Sequence, residues 1–474
     1  MIPVLRSANI IGAGPNGLAA AITLAQHGVA VTVYERNARI GGACSTGEIT
    51  LPGFRHDLGS SVYPLGVCSP FFKTLPLAEH GLRWIEPDAP LAHPFHDAPA
   101  LVLEHSFEAT AAQMSPHDGR SWQSLLSPTV NDWDKIVHDT MRPLLGVPSF
   151  PVAMAIFGVA ALVPAGTLAR SLFHDERVRT LFAGCAAHGV IPLNYLASSA
   201  AGLVLATAAH ATGWPIVAGG AQGLSDALAD YLKSLSGRIE TDVDVASLEQ
   251  VPPADVTLFD TSVDAMIRIA GPALSNSFVR RLRSFRRGPG IFKMDWALSQ
   301  PIPWRDPACL RAATVHLGRS LSEIAESEEA MFHGKTYGRP FVLLVQPSLF
   351  DPSRAPKGKH TAWAYCHVRS GSEEDLTELV EAQVDRFAPG FRDCVLARKA
   401  STGAFLESWN PNLTGGDISG GAMTLSQLIA RPTMRLYRTS NDAIYLCSSS
   451  TPPGGGVHGM CGHLAALAAI EDHC

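Results

Sequence analysis

Residues 8–35 leave this chain few ways to fold. Ala8-Asn9-Ile10-Ile11 is a short, mostly apolar run, and Gly12-Ala13-Gly14-Pro15-Asn16-Gly17 follows it directly. Such a run suits the first buried strand of a parallel sheet. Gly12, Gly14 and Gly17 stand at the dinucleotide spacing. The first permits a sharp turn, the second leaves room for a pyrophosphate against the backbone, and the third lets helix and strand pack closely. Leu18 to His27 read as that helix, ended by Gly28, with Pro15 and Asn16 in the loop where its N-terminal N–H groups face the phosphates. Val29 to Tyr34 are the second strand. Glu35, with Arg36 beside it, sits at the strand tip, about 20 residues past the glycines, where a carboxylate accepts hydrogen bonds from both ribose hydroxyls. A glutamate there repels a 2′-phosphate, which favours FAD or NAD over NADP.

At 474 residues the chain is long for one core, so two domains or one domain with a large insertion are expected. Its formal charge of -6 offers no basic excess to neutralise phosphates, and nucleic acid is not expected as a partner. The one basic cluster, Arg280 to Arg287, reads as a solvated helix end or a contact for an acidic neighbour. Nine cysteines lie scattered without a CxxC pair. That spacing suits reduced thiols and a cytoplasmic protein and indicates neither zinc nor an iron–sulfur cluster. His93-Pro94-Phe95-His96 lacks further clustered ligands, so no metal is expected. No leader is expected before the first strand, because Gly12 already belongs to the nucleotide loop. The longest apolar run, Phe150 to Val163, is shorter than the roughly 20 residues a membrane span needs. It predicts a buried or surface-associating helix, and peripheral membrane contact stays open.

Further motifs select among nucleotides. Arg39-Ile40-Gly41-Gly42-Ala43-Cys44 places a glycine pair just beyond Glu35, and Asp57-Leu58-Gly59-Ser60 follows. Near the C-terminus runs Ser450-Thr451-Pro452-Pro453-Gly454-Gly455-Gly456-Val457-His458-Gly459. With these the chain resembles flavoproteins of the amine oxidase and phytoene desaturase superfamily over nearly its full length. It is most similar to the subgroup related to pyridine nucleotide-disulphide oxidoreductase domain proteins. The resemblance implies FAD, with Gly41 and Gly42 at the diphosphate, and Gly59 and Ser60 by the flavin. It also implies Gly455, Gly456 and Val457 against the flavin ring, with a helix beginning near Val457 aimed at the edge that gains negative charge on reduction. Ser450 and Pro452 replace a glycine and a histidine of the family segment. Pro215 to Gly220 resembles the family's return to the FAD domain, and Val243 to Leu248 the strand whose valine meets adenine, here Val245. Lys293, on a strand over Gly288–Leu298, matches the lysine that holds a water near flavin N5 in flavin amine oxidases.

The implied fold is α/β: an FAD-binding Rossmann-like domain with a parallel sheet, discontinuous in sequence (1–70, 211–270 and 426–474). An α+β substrate domain is inserted into it (71–210, mostly helical, and 271–425). The implied activity is hydride removal from a C–H bond of a small hydrophobic substrate such as a polyene, isoprenoid or lipid. Oxygen, a quinone or another acceptor would re-oxidise the flavin. Two alternatives stand beside it: an oxygen-using amine oxidase with Lys293 near N5, and a non-catalytic binding scaffold of the same fold. Trp296, Trp363 and Tyr365 are candidate rings facing the flavin; a facing pair would favour amines, and a long apolar tunnel would favour lipids.

Overall fold

The opening apolar run is a strand held between parallel neighbours, which its near-continuous burial requires. The computed structural model describes residues 5–473; Met1 to Val4 and Cys474, inside the first and last expected segments, lie outside the described residues. Strands of three or more residues are numbered in chain order: β1 Ser7–Ile11, β2 Ala30–Tyr34, β3 Ala89–His93, β4 Leu101–Leu103, β5 Arg238–Glu240, β6 Val256–Phe259, β7 Gly290–Leu298, β8 Ala312–Leu317, β9 Val342–Val345, β10 His360–Val368, β11 Val395–Ser401 and β12 Ile444–Leu446. The first sheet is parallel throughout, in the order β12-β6-β1-β2-β5. The chain is thus a mixed α/β protein with a Rossmann-like sheet.

Helix Pro15–Gln26 leaves β1 through the glycine loop and packs on this sheet together with the C-terminal helix Met460–His473. The two helices cross closely. A Cβ on Gly462 would lie 1.8 Å from the Asn16 carbonyl oxygen, so only glycine lets them meet there. The contact joins the first and last helices of the chain at the glycine loop.

The second sheet has the order β11-β7-β10-β9-β8-β3-β4 and is antiparallel except where β8 runs parallel to β3. β7 is buried along its whole length, with one face toward helix Thr377–Phe387 and the other toward the first sheet's loops. Strands β3 and β4 lie within 71–210, whose larger part is helical. The His93-Pro94-Phe95 stretch hid a strand whose residues are all buried and therefore show no alternation. The remainder of that region is helices and loops with one two-residue strand, Trp84–Ile85; the helices include Pro151–Ala161, Ala165–Leu172, Glu176–Ala187 and Ser199–Ala211. Among the described residues no single helix is long and apolar enough to cross a membrane. The eight described cysteines are free thiols and buried.

Candidate functional site

A cavity of about 820 Å³ begins at the tips of β1 and β2 and reaches the apolar helices beyond the second sheet. At the β2 end it is lined by Gly12, Gly14, Pro15, Asn16, Glu35, Arg36 and Gly42. Glu35 is buried; its Oε2 accepts the Ala13 N–H at 3.0 Å, and its Oε1 accepts the backbone and side-chain N–H groups of Asn37, each at 3.0 Å. A carboxylate offers about four acceptor positions, so one remains, on Oε2, for a ribose hydroxyl. Both acceptor positions of Oε1 are taken by Asn37, which no motif in the sequence predicts. Val245 also lines the cavity, but Val243–Ala246 is irregular backbone beyond β5, not the expected strand.

Gly17 and Gly41 lie behind this wall. A Cβ on Gly17 would meet the Gly12 oxygen at 2.1 Å, and one on Gly41 the Cys44 oxygen at 2.5 Å. They shape the loop without facing the space. Asp260, at the tip of β6, was not legible in the sequence because no motif marks it. Its Oδ2 accepts the Gly17 N–H at 2.8 Å, and it would touch a Cβ on Gly14 at 2.6 Å. Burial raises its carboxyl pKa to about 7, the Gly17 N–H opposes the shift and the Glu35 charge adds to it. A group that stays partly protonated at neutral pH can border a diphosphate without the full repulsion of a carboxylate.

Farther in, the walls carry Gly59, Ser60, Lys293, Trp363, Tyr365, Gly455, Gly456 and Val457. Gly59 is obligatory: a Cβ there would lie 2.3 Å from the Ala43 oxygen. Lys293 is 2% exposed, and its Nζ donates to both oxygens of Asp295 at 2.5 Å. The two residues are i and i+2 on β7, which puts them on one face of the strand. Lys293 Nζ also stands 5.1 Å from the Trp363 ring centre. Behind them, His56 Nδ1 lies 3.7 Å from Asp295, and Arg354 pairs with Asp57 at 2.9 Å, all four side chains buried. Burial raises the Asp295 carboxyl, and the neighbouring ammonium offsets only part of that rise. Burial, then the charges of Lys293 and Arg354, lower the His56 pKa to about 3 and keep that ring neutral. The Asp57 carboxyl is pushed up by burial but brought below its ordinary value by Arg354, Ser61 and the Ala221 N–H. Asp57 therefore ties the Gly59 turn to Arg354, in the connection between β9 and β10, and to the segment before Gln222.

Gly454 and Gly456 have φ of +113° and +124°, a backbone region that glycine alone enters readily. The buried Arg431 lies under Gly454 and donates to the Ser419 carbonyl at 3.0 Å. The helix, however, begins at Met460 and not near Val457, and the Met460 N–H is taken by His458 Nδ1 at 3.1 Å. Gly459, with φ of +69°, breaks the helix on the cavity side, and Gly455 to Val457 line the cavity as non-helical backbone.

Of the three candidate rings, Trp363 and Tyr365 line the cavity and Trp296 does not. Trp296 points to the opposite face of β7, where its Nε1 donates to Glu381 at 2.9 Å and its ring meets Phe391 edge-on. Trp363 and Tyr365 stack on each other at 5.8 Å between centres and 15° between planes, which leaves no slot between them for a substrate. Beyond them the cavity is walled by Met154, Phe157, Ala200, Val204, Leu205 and Leu343. His188 is there too, its pKa lowered to about 3 by burial and then by His367.

The cavity fits a dinucleotide cofactor by its own chemistry. Asn16 Oδ1, beside the glycine loop, and Trp363 Nε1, beside Lys293, are buried polar atoms without a protein partner, and such atoms ordinarily find one. The two lie at the two regions where a phosphate-bearing half and a ring-bearing half of such a cofactor would come to rest.

Comparison with known proteins supports the same class. Residues 10–74 match the NAD(P)-binding Rossmann-like domain family. The mouse pyridine nucleotide-disulfide oxidoreductase domain-containing protein 2 is 26% identical over 98% of this chain and 93% of its own length. The neurosporene-forming phytoene desaturase of Rhodobacter capsulatus is 24% identical over 96% of this chain and 91% of its own. A structure of putrescine oxidase bound to putrescine matches with a TM-score of 0.62 at 17% identity, covering 98% of both chains; it speaks for the fold alone. The chain is thus homologous to the first two proteins, carries a Rossmann-like domain over residues 10–74, and shares its fold with putrescine oxidase. Its Rossmann domain is of the kind that binds a flavin or NAD(P)-type cofactor.

Proposed function

We propose that this chain holds FAD in the cavity and removes a hydride from a C–H bond of an apolar substrate, as a dehydrogenase or desaturase of a polyene, isoprenoid or lipid. One observation carries the reading: a single cavity joins the Glu35 and glycine-loop end, the Lys293 and Gly455–Val457 region, and an apolar tunnel. Glu35 would anchor the ribose, Gly12 to Asn16 and Gly42 the diphosphate, Val245 the adenine, and Gly59, Ser60 and Gly455 to Val457 the ring. Residues 1–70, 211–270 and 426–474 would form the cofactor domain, a division supported by the origin of the five strands of the first sheet.

FAD, when bound, would supply the hydride acceptor, which is why few side chains are obligatory for the chemistry. The chain's own part is to orient and to exclude water. The apolar walls strip the substrate of water, and Asp295 fixes Lys293 Nζ at the wall, where it holds a proton. Oxygen, a quinone or another acceptor would complete the cycle. Lys293 also supports a second reading, an amine oxidase that uses oxygen, but the stacked Trp363 and Tyr365 offer no paired cage for an ammonium.

One experiment separates the two. Under anaerobic conditions, a detergent-solubilised polyene or isoprenoid should bleach the flavin absorbance of the purified protein, while primary amines should leave it oxidised. Bleaching by amines and not by any apolar compound would overturn the reading.

A further inference from the structure

We infer that helix Pro151–Ala161 and the loops flanking it form a docking surface for a phospholipid bilayer, placed at the mouth of the apolar tunnel. The helix is apolar around its whole circumference. Ala153, Phe157 and Ala161 are buried, and Met154, Phe157 and Gly158 line the cavity. The opposite face carries Val152, Ile156 and Val159 at 72%, 47% and 77% exposure, with Leu162 exposed at its end. Val147, on the preceding loop, is 92% exposed, and Leu196, on a loop bonded to the helix through Ala197 N–H to the Leu162 oxygen, is 67% exposed. A helix apolar all round is ordinarily enclosed by protein or by lipid, and contiguous exposed apolar patches mark interaction sites.

Two features select lipid over protein as the occupant. From Val152 to Val163 no side chain can donate a hydrogen bond, and the one acceptor is the weak thioether of Met154, which faces the cavity, whereas protein interfaces carry about one hydrogen bond per 100–200 Å². Acyl chains require none. Charge points the same way: between Arg142 and Arg170 there is no charged residue at all. The uncharged stretch is therefore bounded by two cations, suited to anionic headgroups.

The geometry also sets the depth. Pro151–Ala161 is 11 residues long, about 16 Å of helix, and the chain then turns through 90° into Ala165–Leu172, whose Ala165, Leu168 and Ala169 return to the core. Such an element dips into one leaflet and does not span the bilayer. Leu144 and Leu162 belong both to the exposed surface and to the cavity wall, so the tunnel opens where lipid would lie. The docking surface stands on these observations alone; only its use for delivering substrate rests on the apolar-substrate reading.

The test is flotation of the full-length, cofactor-loaded protein with vesicles of phosphatidylcholine, alone or mixed with phosphatidylglycerol. The protein should float with both and more strongly with the anionic mixture. The exposed double variant Ile156→Glu/Val159→Glu should lose vesicle binding by about 10-fold or more, with unchanged flavin absorbance and melting temperature. Wild-type protein that stays at the bottom of the gradient with both vesicles would overturn the proposal, as would a Glu variant that floats like the wild type. If vesicles never bind and the Glu variant converts a sedimenting dimer to a monomer, the face belongs to a second copy of the chain and the proposal fails.

Discussion

The two ends of the cavity are built from different material. At the β1 and β2 tips the walls are mostly backbone: Gly12, Gly14 and Gly42 face the space, and Gly17 and Gly41 are forced by contacts behind it. At the far end the walls are side chains of two helices, such as Phe157, Val204 and Leu205, and any similar set of apolar residues would pack nearly as well. The first end is therefore fixed in chemistry, and the second is free to vary its shape with little effect on the fold. Lys293 and Asp295 stand where the two materials meet.

The strongest way to break this division is at that junction. Asp295→Asn leaves the Lys293 ammonium buried without its partner, and losing one member of a buried pair costs about 3–5 kcal/mol. Chemical unfolding should show a loss of that size, with most of it restored in Lys293→Met/Asp295→Asn. A double variant as unstable as the single one would mean that the pair is not the source. At the backbone-built end, Gly14→Val places a Cβ 2.6 Å from Asp260 Oδ2. It should lower cofactor affinity on the order of 100-fold, about 2.7 kcal/mol, as read by flavin retained through gel filtration.

A further test comes from pH. Asp260 has its carboxyl pKa raised to about 7 from an ordinary 3.8, so the folded protein holds a proton that the unfolded chain has released between those values. Stability of the cofactor-free protein should therefore fall as pH rises from about 4 to 7, by at most roughly 1.4 kcal/mol per pH unit, and level off above. Asp260→Asn should flatten that slope in urea titrations; an unchanged slope would assign it to other groups.

Much of the backbone-built end was legible in the sequence, because glycine at fixed offsets records a steric demand that no other residue meets. Gly59 and the φ of Gly454 and Gly456 are of this kind. What was not legible depends on partners far apart in the chain. Asp260 reaches Gly17 across 243 residues, and Arg354 reaches Asp57 from the connection between β9 and β10. Asn37 reduced the freedom of Glu35 through a local hydrogen bond that no motif encodes. Trp296 was misplaced because β7 is buried on both faces, so its sequence gives no alternation from which to tell the two sides apart. Strands β3 and β4 escaped for the same reason. The late start of the C-terminal helix goes with the left-handed φ of Gly459, which helix propensity does not reveal.

The central claim is that the cavity is a flavin site. The most direct measurement is the absorbance spectrum of the purified protein, followed by identification of whatever is released on denaturation. The account predicts a yellow protein that releases FAD in near-stoichiometric amount. A colourless protein that cannot be reconstituted with FAD would contradict it.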